Sequence, residues 1–436
     1  MGDVWAGLPI LVQDIAVLLA LLVPLGVLAG LLWRGYAPGR LVRALLWRFR
    51  WANTMFVALI AVSVGMGIGL LAQERGLRQG TAQAASKFDL VVSAPGSEMT
   101  MLLATVFLQP SDVGLIGGAA YAEIAGHENV EIAAPLAFGD SIGTASVVGT
   151  TAEFATFLSD GAIEGRLWNA PFEAVAGAAV PLEIGARAEP AHGHGDAAEE
   201  GAHAAEFTIV GRMAPTGTPW DRAVLVPVEA VWELHGLANG HAPGRADQLG
   251  PPFDADFFPG TPAIIVRATE LWANYALRSE FTRDGETMAF FSGTVLANLY
   301  RVMGDVRQAM SLMSVVSQVL VASSVLLGLF ILTRLFQRQV AMLRALGAPI
   351  RFVVAVVWSY AAALLAAGTA LGLGVGLAAA AVLSRVVTAR TDIVVSATLG
   401  WAELHLAAAF LTATALVALL PALAVLRQPV ASGLRA

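Results

Sequence analysis

Residues 311–333 read SLMSVVSQVLVASSVLLGLFILT, an apolar run without one charged side chain. The hydrocarbon core of a bilayer calls for roughly 20 residues of apolar helix. A helix buried in a soluble core rarely needs so long a charge-free stretch, so this segment reads as a membrane span. Leu406 to Leu426 is charge-free in the same way. Comparable runs at about 15–33, 52–72 and 352–380, taken with 312–333 and 404–426, predict five spans.

Charge divides the chain sharply. Residues 73–305 hold 29 Asp and Glu against 12 Lys and Arg, and the rest of the chain holds 4 against 14. One span pair therefore precedes a large acidic, water-facing insert, and three spans follow it. The expected fold is an α-helical transmembrane bundle with an extracytoplasmic α+β domain between the second and third spans. Four of the spans form a core, and one extra span precedes them. The expected divisions are 1–37 (extra helix), 38–72 (elbow helix and first core span), 73–311 (outer domain with stalk helices) and 312–436 (remaining core spans).

Orientation follows from the arginines, because short cytoplasmic loops retain positive charge. Arg34, Arg40, Arg43, Arg48 and Arg50 lie between spans one and two, Arg334, Arg338, Arg344 and Arg351 between three and four, and Arg427 and Arg435 after span five. These segments are expected in the cytoplasm, and the acidic insert on the outer side with the N-terminus. Asp3, and the lack of any Lys or Arg before Arg34, argue for a retained first helix rather than a cleaved leader.

Within the insert, β-rich runs at 88–92 (FDLVV), 207–210 (FTIV), 223–226 (AVLV) and 263–266 (AIIV) alternate with Gly, Pro and Asp, and a helical stretch covers 228–237. An α+β domain follows. Span two runs on into the polar stretch 73–86. Val295, Leu299, Val302, Met303, Val306, Met310 and Met313 recur near helical spacing before span three. The two could form a stalk, or the stripe is only packing surface. In span four Gly368, Gly372, Gly374 and Gly376 provide a small-residue face that lets another helix approach closely in lipid, within the chain, in a second copy or on the first span.

The catalytic inventory is short. The chain has no cysteine, and its single lysine, Lys87, precedes Phe88, so no phosphate loop ending in Gly-Lys-Ser/Thr exists. Neither an HExxH zinc motif nor a Gly-x-Ser-x-Gly elbow occurs. The acidic outer face disfavours nucleic acid and other polyanions. One tract has ligand chemistry: AHGHGDAAEEGAH at 191–203 carries His192, His194 and His203 with Asp196, Glu199 and Glu200. Such a tract suits zinc or another transition metal, or is a solvated loop. A membrane-anchored metal-binding or sensing protein is accordingly the alternative function.

The loop 334–351 reads RLFQRQVAMLRALGAPIR, an amphipathic helix broken by Gly347. Val340, Leu343 and Leu346 fall at stripe spacing. Through Arg338, Ala341, Leu343, Arg344, Ala345, Leu346, Gly347 and Ala348 it resembles the ATPase-docking loop of FtsX/MacB-type (LolC/E-like) permeases of ABC transporters. The elbow-like segment 40–50 (RLVRALLWRFR), the outer-domain stretches 147–154, 165–166 and 175–180, and the C-terminal 421–434 resemble that family in the same order. The extra first span, and Gln339 with Val340 at a position often acidic, depart from its pattern. The resemblance implies a non-catalytic subunit of the bacterial cytoplasmic membrane, paired as a homodimer or with a second permease. A separate ATPase would bind ATP and Mg. Export, lipoprotein extraction, work through a periplasmic adaptor or mechanotransmission are the activities implied.

Overall fold

The computed structural model describes residues 5, 7–109, 113–192, 205–283, 285–335, 337–391 and 393–424. His194 and His203 of the candidate metal tract, and Arg427 and Arg435, lie outside these residues. In chain order the helices are α1 (Ile10–Trp33), α2 (Gly39–Arg48), α3 (Arg50–Ala85), α4 (Glu98–Thr105), α5 (Gly118–Ala125), α6 (Ala152–Leu158), α7 (Val228–Leu234), α8 (Leu271–Arg283), α9 (Ser292–Leu335), α10 (Gln337–Ala345), α11 (Ile350–Thr391), α12 (Trp401–Val417) and α13 (Leu419–Ala424). The chain forms two compact units, one comprising Met1–Gly76, Asp305–Val386 and Ser396–Ala436, the other Leu77–Gly304 and Val387–Val395.

Four described segments are long and apolar enough to cross a membrane: Ile10–Trp33, Arg50–Ala85, Ile350–Arg390 and Trp401–Leu423. The remaining expected span, 312–333, falls within α9, where the described apolar stretch is Gln318–Gly328. In the first unit the helices share one apolar interior. Interior contacts come from Ile60, Val64 and Ile68 of α3, Trp358, Tyr360, Leu364 and Leu365 of α11, and Phe410 and Ala415 of α12. Two large polar side chains within this apolar unit find partners, as low-dielectric burial favours. The Trp358 Nε1–H donates to the Ala415 carbonyl at 2.9 Å, and the Tyr360 hydroxyl donates to the Asn53 side-chain oxygen. Helix α1 packs on α12. The His405 Nε2 lies 2.9 Å from the Asp14 carbonyl, and the Trp33 Nε1–H donates to Ser359 Oγ at 2.8 Å. On α1, Leu19, Val23, Val27 and Leu31 are exposed at four-residue spacing, along one face of the helix.

The second unit is mixed α+β. Its strands are β1 (Leu90–Ser93), β2 (Val130–Leu136), β3 (Asp140–Ile142), β4 (Ala145–Thr150), β5 (Ile163–Gly165), β6 (Glu173–Ala176), β7 (Arg187–Ala188), β8 (Ala191–His192), β9 (Phe207–Met213), β10 (Val224–Pro227), β11 (Ala263–Ala268) and β12 (Met288–Phe291). One antiparallel sheet has the order β12-β1-β11-β2; the other, mixed, runs β5-β9-β6-β10-β4-β3-β8 with β7 also on β9. The β9 strand alternates buried and half-buried residues, so one face meets the core. By contrast, β1 and β10 are buried throughout, and apart from Ser93 their text is apolar for that reason.

Burying these strands on both faces requires large side chains between the layers. Phe88, Phe154 and Trp220 meet with ring centroids 5.5 to 5.8 Å apart, and Trp220 Nε1–H donates to the Thr105 carbonyl at 3.1 Å. Tyr121 stacks on Phe258 at 4.6 Å in a second aromatic group with Trp232 and Phe253. Here the ends of α3 and α9 also pair: the Thr81 and Tyr300 hydroxyls hydrogen-bond, and Arg78 lies over the Tyr300 ring at 5.4 Å. Of the apolar stripe leading toward span three, Val295 is buried and Leu299 packs on the core, whereas Met313 is exposed. The side chains of Val302, Met303, Val306 and Met310 are outside the described set.

Candidate functional site: the 334–351 loop, the glycine face and a histidine cluster

Sequence dictates where α10 stops. Gly347 adopts φ +87°, a conformation in which a Cβ would be strained. Around it the Ala348 N–H donates to the Leu343 carbonyl at 2.9 Å and the Gly347 N–H to the Arg344 carbonyl at 3.1 Å, the paired bonds of a Schellman motif. Pro349 follows, and its carbonyl accepts from the Phe352 and Val353 N–H groups as α11 begins. A rigid corner therefore separates the two helices.

That corner decides which side chains face outward. Leu346 is 85% exposed, and Met342 and Ile350 are also exposed, while Ala341 is buried. Leu343, Arg344 and Ala348 are half-buried, and Ala345 and Gly347 exposed. Arg338 and Val340 lie in α10, with side chains outside the described set. The apolar stripe read from spacing thus splits: Leu343 turns partly inward, and Leu346 does not join it. Instead, Leu346, like Met342 and Ile350, is exposed, and Arg344 and Arg351 lie near these residues in sequence.

The glycine face of α11 meets α3 of the same chain. A Cβ at Gly368 would stand 2.6 Å from Ile60 Cβ, one at Gly372 2.8 Å from Val64 Cβ, and one at Gly376 2.6 Å from the Gly65 carbonyl oxygen. Gly65 and Gly69 on α3 answer with approaches of 3.1 Å to the Gly372 oxygen and 3.2 Å to the Gly376 oxygen. Two small-xxx-small faces therefore interlock with backbone against backbone. Gly374 points to open space.

A third feature was not visible in the spacing of the sequence. Strand pairing sets Asp140 opposite His192, and His235, at the C-terminal cap of α7, approaches both. His192 Nδ1 lies 3.1 Å and His235 Nε2 3.8 Å from Asp140 Oδ1, and the three ligand atoms are all within 4.8 Å of one another. The Asp140 side chain is buried and those of the histidines partly exposed. Of the three histidines expected to share a metal, only His192 is among the described residues. His235 is too distant in sequence from the tract to have been joined to it by inspection.

Two further polar pairs are buried by packing. Glu403, 0% exposed at the start of α12, pairs with Arg75 at 2.8 Å and accepts the Gly400 N–H at 3.0 Å. In the α+β unit, Glu229 accepts the Gly250 N–H and lies with Oε1 3.6 Å from His241 Nε2, beyond hydrogen-bonding range. Burial pushes the Glu229 carboxyl up to about 7, reinforced by Glu233 and opposed by its backbone hydrogen bonds. Burial, with the Arg245 charge, pushes His241 down against the pull of Asp254.

Long apolar helices packed through glycine, together with a folded α+β unit in the middle of the chain, define a multi-spanning membrane protein carrying a large non-membrane domain. Its C-terminal region is more specific: residues 311–429 match the family model FtsX-like permease C-terminal. Among solved structures, the extracellular domain of the noncanonic ABC-type transporter YknZ from Gram-positive bacteria aligns over 98% of its length with 46% of this chain, at 9% identity and a TM-score of 0.26. No curated protein matches the chain.

Proposed function

We propose that this chain is the permease subunit of an ABC transporter, in which the loop 334–351 receives a separate ATPase subunit and passes its ATP-driven movement to the α+β domain. The observation that carries the reading is the position of the exposed Met342, Leu346 and Ile350 on a rigid corner inside the region matched as FtsX-like permease. Large apolar side chains beside arginines on a water-facing loop suit a partner surface better than water. The partner supplies the bound ATP and Mg, and the chain itself is non-catalytic.

On this reading the arginine-rich loops are cytoplasmic, five helices cross the bacterial cytoplasmic membrane, and the acidic domain stands outside. The subunit works as a homodimer or beside a second permease, and its output is export, lipoprotein extraction or mechanotransmission. The pairing of α3 with α9 through Thr81, Arg78 and Tyr300 supports a stalk role for these two helices in passing on movement.

Covering Leu346 with a partner is worth about 2 kcal/mol, or roughly 30-fold in affinity. The tagged full chain is purified in mild detergent and its companions are identified by mass spectrometry, alongside Arg344→Glu and Leu346→Asp. An ATPase recovered with the wild type and depleted at least about tenfold with Leu346→Asp supports the reading. Recovery of no ATPase, or equal recovery with both variants, overturns it.

A further inference from the structure

We propose that Asp140, His192 and His235 bind one divalent transition-metal ion of the zinc type, with water completing its coordination. The three residues come from a strand pair and a helix end that are distant in sequence, and the fold gathers them at one point on the α+β domain. An ion with tetrahedral bonds of about 2.0–2.1 Å sets its ligand atoms about 3.3 Å apart. Separations of 3.1 and 3.8 Å from Asp140 Oδ1 bracket that value, so small side-chain rotations suffice.

The orientation of His235 is the decisive detail. Its Nδ1 lies 2.7 Å from the Val231 carbonyl, which only accepts, so Nδ1 carries the hydrogen. In the neutral ring the lone pair then resides on Nε2, the atom turned to Asp140. Metal-bound histidines are held in this way, one nitrogen donating to a carbonyl so that the other meets the ion. The Asp140 side chain, 1% exposed, supplies the negative charge, and His192, 46% exposed, leaves a route for ion and water. A cavity of about 320 Å³, lined in part by Gly139, Ser146, Trp232 and His235, opens beside the cluster.

Two imidazoles and one carboxylate select zinc, copper or nickel over magnesium or calcium, which prefer all-oxygen shells. A bound ion would tie the β3–β8 pair to the end of α7. The inference is independent of the permease reading and of the tract residues His194 and His203.

The test uses the full chain in detergent, stripped with EDTA, then equilibrated with zinc alone and assayed for metal per chain by atomic emission. One zinc per chain is expected for the wild type and for the double variant His194→Ala/His203→Ala. His192→Ala and His235→Ala, both at partly exposed positions, should each weaken binding more than the roughly 10- to 100-fold typical of losing an outer-shell partner. The visible absorption of a cobalt-loaded sample should disappear in the same two variants while their circular dichroism stays that of the wild type. A wild type that holds no zinc overturns the proposal. So does zinc that survives His192→Ala and His235→Ala and is lost in His194→Ala/His203→Ala.

Discussion

Replacing Glu229 with Gln should make the α+β domain more stable at high pH than at low pH relative to the wild type. The folded carboxyl is raised to about 7 from an ordinary value of 4.5 because α7 and the 250–253 segment exclude water from it. A raised folded value means that the stabilising protonated form is fully present below pH 4.5. Stability is then lost as pH rises toward 7, because the unfolded chain releases the proton more easily. Each pH unit of difference is worth about 1.4 kcal/mol, so the full loss is about 3 kcal/mol. With its side chain 2% exposed, Glu229 has little solvent to screen that penalty.

The amide of Gln has the same shape and still accepts the Gly250 N–H, but it does not ionise. His241 contributes with the opposite sign: its lowered value makes folding less favourable as pH falls below 6.5. Comparing the variant with the wild type at each pH cancels that contribution. Thermal unfolding of the purified full chain, followed by the transition of the α+β domain, is the assay. For a unit of this size, about 3 kcal/mol corresponds to roughly 6–12 °C. The variant should gain most of that shift over the wild type between pH 5 and pH 8. Parallel curves would refute a raised carboxyl. A variant weakened most at pH 5 to 7 would mean instead that Glu229 and His241 form a charged pair.

Two further sets of substitutions probe the membrane unit. Gly376→Ala puts a Cβ 2.6 Å from the Gly65 carbonyl oxygen, so it should lower stability by about 1–3 kcal/mol in a detergent unfolding assay, whereas Gly374→Ala, with nothing within 4 Å, should be neutral. Arg75→Met leaves the Glu403 carboxylate buried without its partner and should cost about 3 kcal/mol; adding Glu403→Gln should recover most of that loss, measured as a double-mutant cycle.

The elements that were legible in the sequence are those whose cause is local. The apolar runs of α1, α3, α11 and α12 and the β-rich texts of β1, β9, β10 and β11 carry their signal in their own length and composition, so solvent preference alone assigns them. Gly347 followed by Pro349 similarly announces the corner of the loop, because few other residues accept its backbone angle. Partnership is a different kind of information. The face Gly368, Gly372 and Gly376 states that some helix approaches closely, and only the fold reveals that the helix is α3, with Gly65 and Gly69 opposite.

Val387–Val395 lies between the expected spans 352–380 and 404–426 and carries no signal of its own, yet it folds with the α+β unit, where a Cβ at Gly80 would stand 2.5 Å from the Val394 carbonyl oxygen. Asp140 looked like one of many acids in a negatively charged insert. It is set apart by the β3–β8 register, which places His192 opposite it, and by the α7 cap, which brings in His235. The same reasoning applies to Arg75 and Glu403. A charge near the edge of a span signals that it needs an opposite charge, but chain distance does not say which, since burial selects the partner after the helices have packed.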